Sequence, residues 1–214
     1  MIGEDKYNWG LMSEIIQDEP LLIVISGPSG VGKDSVVQGL KESQHPFHFV
    51  TTVNTRPPRP DEQEGEDYFF ISEAEYQRMV EAGELMEHAE VYEGNKGVPR
   101  EQVRQALSSG LDVVLRLDVQ GARRIRELFP EALLIFLATE EEDELVERLI
   151  ARNTESQEAL LRRVTTLPEE LERVDEFDYV VVNARGELER TVNTVLAIIT
   201  AEHHRVHPRK VSLT

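Results

Sequence analysis

The sequence predicts an α/β domain, a parallel sheet covered by helices on both faces, and three observations carry that expectation. The apolar run 21–25 leads straight into a glycine-rich loop and then a helical pattern; four more short runs, apolar and β-branched or leucine-rich, recur along the chain; and helix-period stretches separate them. Continuous apolar strands are what a sheet buried on both sides requires, because neither face meets water.

Taken in order, 21–25 is the first strand, 33–42 the helix after the loop, and 47–53 the second strand. From about Thr52 to Gly97 the character changes. Pro57, Pro58, Pro60 and Gly65 break it into short alternating pieces such as 68–71, and one helix opens at Ser72, with Glu75 three residues on completing a capping box. This stretch reads as a small mixed lobe inserted into the sheet. Strands at 113–117, 133–137 and 179–182 follow, each expected to be covered on both faces. Helices are expected at about 99–109, 121–129, 141–152, 156–173 and 186–204, with Pro99 suited to a first helical turn and Pro168 expected to break or kink the fourth of these. The domain organisation is therefore an N-terminal extension 1–20, one domain 21–205 made of a core (21–51 and 98–205) and the lobe 52–97, and a C-terminal tail 206–214.

Composition removes several function classes. The 214 residues suit one compact domain, and the absence of cysteine excludes disulfides, thiolate metal sites and cysteine nucleophiles. A formal charge of −18 argues against nucleic acid or an anionic membrane as partner, so an anionic substrate must be held by local cations working against the overall field. The longest apolar runs are strand-sized, and the acidic first 20 residues lack both a signal core and an arginine-rich transit character. The expected location is the cytoplasm.

The loop carries the chemistry. Gly27-Pro28-Ser29-Gly30-Val31-Gly32-Lys33-Asp34 follows a strand and opens a helix, so its glycines allow backbone N–H groups to wrap a triphosphate, Lys33 adds a point charge, and the helix N-terminus adds its dipole. Ser or Thr is expected after the lysine, to offer a hydroxyl to Mg²⁺. Here Asp34 stands in that place and the hydroxyl of Ser35 comes one position late. Downstream, Thr52, Thr55, Arg56 and Arg59 share a proline-stiffened segment in which two guanidiniums and two hydroxyls suit a phosphomonoester.

The P-loop, the Thr-Arg-x-x-Arg segment, Gly65-x-Asp67-Tyr68-x-Phe70, Leu85-Met86-Glu87, Asp118-x-Gln120-Gly121, Arg148-Leu149-x-x-Arg152 and 178–183 occur in an order and spacing that resembles the guanylate kinases, over roughly 21–202. The resemblance implies an α/β P-loop kinase with a parallel sheet core, an inserted GMP-binding lobe and a helical lid at about 141–163. It implies ATP and GMP as small-molecule substrates, Mg²⁺ as cofactor, and transfer of the γ-phosphoryl group to GMP. By position, Thr52, Arg56, Arg59 and Tyr68 resemble the clamp on the GMP phosphate. Glu87 and Asp118 resemble the guanine readers, which fits the chemistry, because a carboxylate accepts from guanine N1–H and its amino group, whereas adenine has no N1 proton. Arg148, Arg152 and Arg163 fall where lid arginines fall, and Asn183 would border the adenine.

Four positions depart from the commonest family pattern. They are Asp34, Arg116 in place of an acidic residue, Lys96 in place of a tyrosine, and Val98 in place of a hydroxyl residue; plastid and some bacterial guanylate kinases are similar in several of these. Lys96 is expected to supply a donor to GMP while Val98 only packs, and Asp34 to hold Mg²⁺ with Arg116 moderating its charge. His88 and the histidines 203, 204 and 207 read as solvated or structural. Two rivals stand beside this reading: a ribose bisphosphate kinase of phosphonate metabolism, whose P-loop is similar, and a non-catalytic guanylate-kinase-like interaction module.

Overall fold

The structure, a computed structural model, describes residues 19–59, 62–91, 94–152 and 157–211, without the side chains of 90, 91, 142, 152 and 157–159. The expectations for 1–18, for Pro60, for the lid stretch 153–156 and for 212–214 lie outside these residues. Five strands make the main sheet: β1 (Leu22–Ser26), β2 (Phe47–Phe49), β7 (Asp112–Arg116), β8 (Leu133–Ala138) and β9 (Tyr179–Val182), in the order β2-β7-β1-β8-β9 with every pair parallel. A second, four-stranded sheet holds β3 (Thr52–Asn54), β4 (Tyr68–Phe70), β5 (Leu85–Val91) and β6 (Gly94–Pro99) in the order β4-β3-β6-β5.

The two-sided burial expected of β1 is present residue by residue. Leu21, Ile23 and Ile25 belong to one hydrophobic cluster, with Val36, Val37 and Leu40 of α1 (Lys33–Glu42) and Val192, Val195 and Ile199 of α7 (Leu188–His203). Leu22 and Val24 belong to the other, with Val103 and Ala106 of α3 (Arg100–Ser108) and Ala122 and Ile125 of α4 (Val119–Leu128). Successive side chains of a strand point to opposite faces, so one apolar run fills both cores. Each fully buried Leu, Ile or Val contributes about 1.5–3 kcal/mol relative to leaving it in water.

Five sequence expectations need correction. The run 47–53 is not one strand: β2 ends at Phe49 in the main sheet, and β3 begins at Thr52 in the other. Val50 N–H still donates to the Val114 carbonyl at 3.0 Å, which marks where the chain leaves the first sheet. Pro168 does not break its helix; α6 (Gln157–Glu172) runs through it and passes into a 3₁₀ turn at Arg173–Glu176. Strand β9 is an edge strand covered on one face: Val181 is buried, while Val180 and Val182 are exposed. Pro99 ends β6 and caps α3 rather than lying in its first turn. The capping box at α2 (Glu73–Glu81) is half made, since Ser72 accepts the Glu75 N–H at 3.2 Å while the Glu75 carboxylate turns to Arg78.

The second sheet sits in the chain between β2 and β7, which are hydrogen-bonded neighbours in the first. Its strand β3 thus starts beside the carboxyl ends of the parallel strands, where crevices of open α/β sheets take ligands.

Candidate functional site

Strand β1 delivers the chain into the loop 27–32 at the carboxyl edge of the main sheet. Gly27 (φ +140°) has a backbone that L side chains rarely adopt, and a Cβ there would run into the Leu137 carbonyl. Gly32 (φ +98°) sits at the N-cap of α1, where a Cβ would strike the Asn183 amide. Both positions therefore demand glycine. Lys33 folds back so that its ammonium donates to the carbonyls of Gly27 (2.6 Å) and Pro28 (3.0 Å). Burial pushes its pKa down from 10.5 to about 8, against the pull of Glu170, Asp34 and Asp118. Asp34 follows at the first turn of α1, where the helix dipole favours an anion. Arg116, at the end of the neighbouring strand β7, donates to its Oδ1 at 2.6 Å.

Helix α5 (Glu142–Arg152) and α6 close over the loop. Arg148 donates to the carbonyls of Val31 (3.0 Å) and Asn183 (2.8 Å) and pairs with Glu144 (2.8 Å), so it combines a loop contact with an ion pair on its own helix. Arg163, mostly buried, donates to the Ser29 hydroxyl at 2.9 Å. Glu170 Oε2 accepts the Ser29 backbone N–H at 3.1 Å, so a carboxylate rests on an amide of the phosphate cradle. Arg152 ends α5, with its side chain outside the described residues. Asn183, at the end of β9, has its side chain bonded to the loop and to α7. Its amide donates to Val31 O (2.8 Å) and accepts from Thr191 (3.1 Å), bracing the loop from behind, because the Gly32 backbone leaves room for it there. Val31 likewise turns into the core rather than the cleft.

The facing wall comes from the second sheet. Register places Thr52 opposite Tyr68 on β3 and β4, and Asn54 opposite Lys96 on β3 and β6. The Tyr68 ring has three cations around it: Arg116 at 4.5 Å, Arg56 at 5.4 Å and Lys96 at 5.5 Å from its centroid. Arg116 also donates to Asp67 O at 2.9 Å, so it ties the second sheet's side of the cleft to the loop. Arg56 forks onto Glu62 at 2.7 and 2.5 Å, and Glu62 accepts the Arg59 N–H at 2.9 Å. Glu87, on β5, is nearly buried against Gly121 of α4, which brings no side chain to displace it. Burial and the negative charge of Asp118 raise its pKa from 4.5 to about 8, with Lys96 and Arg124 opposing. Asp118 also caps α4, accepting the Gly121 N–H at 2.8 Å. Val98 is fully buried in the core.

One cleft of about 390 Å³ joins these walls, and Ser29, Gly30, Gly32, Lys33, Asp34, Ser35, Thr52, Arg56, Arg59, Tyr68, Glu87, Lys96, Asp118, Arg148 and Arg163 all line it. It brings a phosphate cradle within one cavity of an arginine-rich clamp and a pair of carboxylates. Three further residues line or organise it that the sequence did not single out. Asn54 is fully buried, orients the Arg56 N–H through its Oδ1 (3.2 Å), and leaves its Nδ2 without a partner among the described residues. Glu62 and Glu170 are the others; Glu170 reaches Ser29 across the fold, whereas Asn54 and Glu62 act on Arg56 and Arg59 a few residues away, in a segment whose sequence pattern does not mark these contacts.

Comparison with known proteins agrees with this geometry. The family model described as guanylate kinase matches residues 19–202. A relative from Oryza sativa subsp. japonica, guanylate kinase 2, chloroplastic/mitochondrial, is 49% identical over 196 residues, covering 91% of this chain and 69% of that protein. The guanylate kinase of Caldanaerobacter subterraneus subsp. tengcongensis is 42% identical over 195 residues, covering 91% and 94%. Among solved structures, guanylate kinase from Anaplasma phagocytophilum superposes with a TM-score of 0.72 at 28% identity, covering 89% of this chain and 90% of that one.

Proposed function

The chain belongs to the guanylate kinase family, and from that premise we propose how its cleft assigns the work of the reaction. The protein is a phosphotransferase that phosphorylates GMP. The observation that carries the assignment of roles is that P-loop, clamp and buried carboxylates share a single cavity.

ATP is the donor, with its outer phosphates on the amides of 27–32 and on Lys33, where they displace the Glu170 carboxylate from the Ser29 N–H. An incoming phosphate offsets the burial that lowers the Lys33 pKa and so favours its charged form. GMP lies against the second sheet, its phosphate on Thr52, Arg56, Arg59 and Tyr68 and its base on Glu87 and Asp118. The Arg56 fork must leave Glu62 to take phosphate, an exchange of one bidentate anion for another. Arg148 and Arg163, already anchored to loop atoms, stabilise charge spreading over the transferring group, as Arg152 does on the same helix as Arg148. Closure of α5 and α6 excludes water that would otherwise accept the phosphoryl group. Positioning and electrostatics suffice, since the loose transition state of phosphoryl transfer leaves little covalent work for side chains.

Mg²⁺ fits the residues present. Asp34 and Ser35 bring a carboxylate and a hydroxyl, both hard oxygen donors, to the cleft wall beside Lys33, and they would hold it. Bound there, it would neutralise charge on the β- and γ-phosphates. Arg116 keeps the Asp34 carboxylate from repelling the triphosphate. We take the cytoplasm as the place of action; among the described residues no helix is long and apolar enough to cross a membrane.

The test is a coupled assay with ATP as donor and GMP, dGMP, AMP and ribose bisphosphate as separate acceptors. Turnover with GMP far above AMP is expected, and rejection of ribose bisphosphate. Turnover confined to ribose bisphosphate, or none with any acceptor, overturns the assignment.

A further inference from the structure

At the other end of the main sheet, away from the nucleotide cleft, two histidines converge on one carboxylate. Asp112 is the first residue of β7, and Arg116, which serves the cleft, is the last. Parallel pairing with β1 sets Asp112 beside Leu21, whose N–H donates to Asp112 Oδ1 at 2.8 Å. The second carboxylate oxygen, Oδ2, lies 2.7 Å from Nε2 of His203 and 3.0 Å from Nε2 of His45. His203 belongs to the last turn of α7, and His45 to the loop that leads from α1 into the edge strand β2. Three separate elements thus bring their donor atoms within 4.8 Å of one another. The sequence marks His203 as solvated or structural rather than a ligand, and does not single out His45 or Asp112.

We propose that His45, Asp112 and His203 form a binding site for one divalent transition-metal ion, with Zn²⁺ as the reference ion. Two imidazoles and a carboxylate are a donor set suited to zinc, and three protein ligands leave a fourth position for water. Bonds of about 2.0–2.2 Å at tetrahedral angles set neighbouring ligand atoms roughly 3.3 Å apart, so His45 and His203 would withdraw by tenths of an ångström from Asp112 while their own nitrogens, within 4.8 Å of each other, settle to the same spacing. His45 can make that move, because its side chain is 35% exposed and sits on a loop; the same exposure gives the ion its way in. Asp112 cannot, and need not, since its side chain is 4% exposed and the Leu21 N–H fixes it as an outer-sphere hydrogen bond fixes a ligating carboxylate. Each imidazole must present its Nε2 lone pair, which moves its proton to Nδ1 and leaves the net proton count of a neutral ring unchanged. The ion would staple the loop before the edge strand to the C-terminal turn of α7 and the start of β7.

The site differs from the Mg²⁺ position at the P-loop in chemistry as well as place, because Mg²⁺ prefers oxygen ligands. The test uses the full-length, tag-free protein stripped of metal, titrated with Zn²⁺ in competition with a chromophoric chelator, with Mg²⁺ as a parallel arm. Expected is one Zn²⁺ per chain with a micromolar or tighter Kd, no competition from Mg²⁺, and affinity reduced at least about tenfold in each of His45→Gln, His203→Gln and Asp112→Asn, a loss that even outer-sphere changes produce. X-ray absorption of the loaded protein should show two imidazole nitrogens. Saturating Zn²⁺ should raise the Tm of the parent and leave that of His45→Gln unmoved. Turnover of GMP by metal-stripped His45→Gln, assayed with Mg²⁺, should match the parent and so shows that this variant is folded. Equal zinc uptake by the parent and a His45→Gln/His203→Gln double variant, or no stoichiometric uptake by the parent, overturns the proposal.

Discussion

Lys33 and Glu87 face each other across one cleft, and burial drives them toward the same pH from opposite sides. The ammonium falls from 10.5 to about 8, and the carboxyl rises from 4.5 to about 8. Their supports differ. Lys33 leans on backbone, the carbonyls of Gly27 and Pro28. Glu87 stands among side chains, with Asp118 raising its pKa and Lys96 lowering it. On the proposed assignment the phosphate wall would be generic, reading charge through main chain, whereas the acceptor wall would be specific, reading a base through a carboxylate whose ionisation its neighbours set. Under that assignment ligands would relieve both strains: a phosphate would favour the ammonium, and a base with two N–H donors would favour the carboxylate.

The largest effect should come from removing the specific wall. Glu87→Gln is expected to lower kcat/KM for GMP by about 10⁴, the scale on which a buried polar recognition site rejects a mismatch, while KM for ATP stays near that of the parent. GMP kinetics equal to the parent's would erase the difference between the walls. The pH dependence sharpens it. Glu87 gains its charge as pH rises toward 8, so KM for GMP should fall between pH 6.5 and 8, by up to about tenfold per unit for a single titrating group. Lys33 loses its charge over the same range, so KM for ATP should climb as pH passes 8. Glu87→Gln should flatten the first profile and keep the second.

The next effect tests a residue that belongs to both walls. Arg116 pairs with Asp34 and also lies on Tyr68 and bonds Asp67 O. Asp34→Ser and Arg116→Asp should each weaken the Mg²⁺ dependence of turnover by about tenfold, and the double variant should recover most of that loss, as contacting residues couple by 0.5–3 kcal/mol. KM for GMP should stay raised in both variants that lack Arg116. Additive losses in Mg²⁺ dependence would separate the walls after all.

The smallest concerns Lys96, over the Tyr68 ring and close enough to Glu87 to lower its pKa. Lys96→Met should raise KM for GMP about three- to fivefold, the worth of a partly exposed cation contact, and shift the GMP pH profile upward. A KM equal to the parent's at several salt concentrations would remove Lys96 from the site.

What the sequence made legible follows the same division. The loop, α1 and the buried strands were readable because glycine positions, a lysine and continuous apolar runs are local signals. The Asp34–Arg116 contact was readable too, since two charge changes and one strand neighbour suffice to place it. The run 47–53 misled, because β-branched and apolar residues continue through it while the chain changes sheets between Phe49 and Thr52. The part of Asn183 that the sequence did not show is its hold on the loop, since a polar residue at a strand end carries no mark of the carbonyl its amide will meet. Glu170 gave no signal because its partner Ser29 is brought to it only by the tertiary fold, and Asn54 and Glu62 gave none because a polar residue at a strand end or in a loop looks the same whether or not it braces a neighbouring arginine. Pro168 shows propensity overridden by helix packing.

Placing the second sheet between β2 and β7 has a consequence for chain entropy. The ladder those strands form joins Phe47 to Asp112 (112 − 47 = 65 positions apart), so it closes a loop that contains the whole acceptor lobe. The entropy of closure grows only with the logarithm of loop length, about 0.6 kcal/mol for each doubling. The lobe can therefore lengthen, shorten or change its contents while the ladder that shuts it loses little, leaving the parallel sheet free to keep its phosphate chemistry as the acceptor changes.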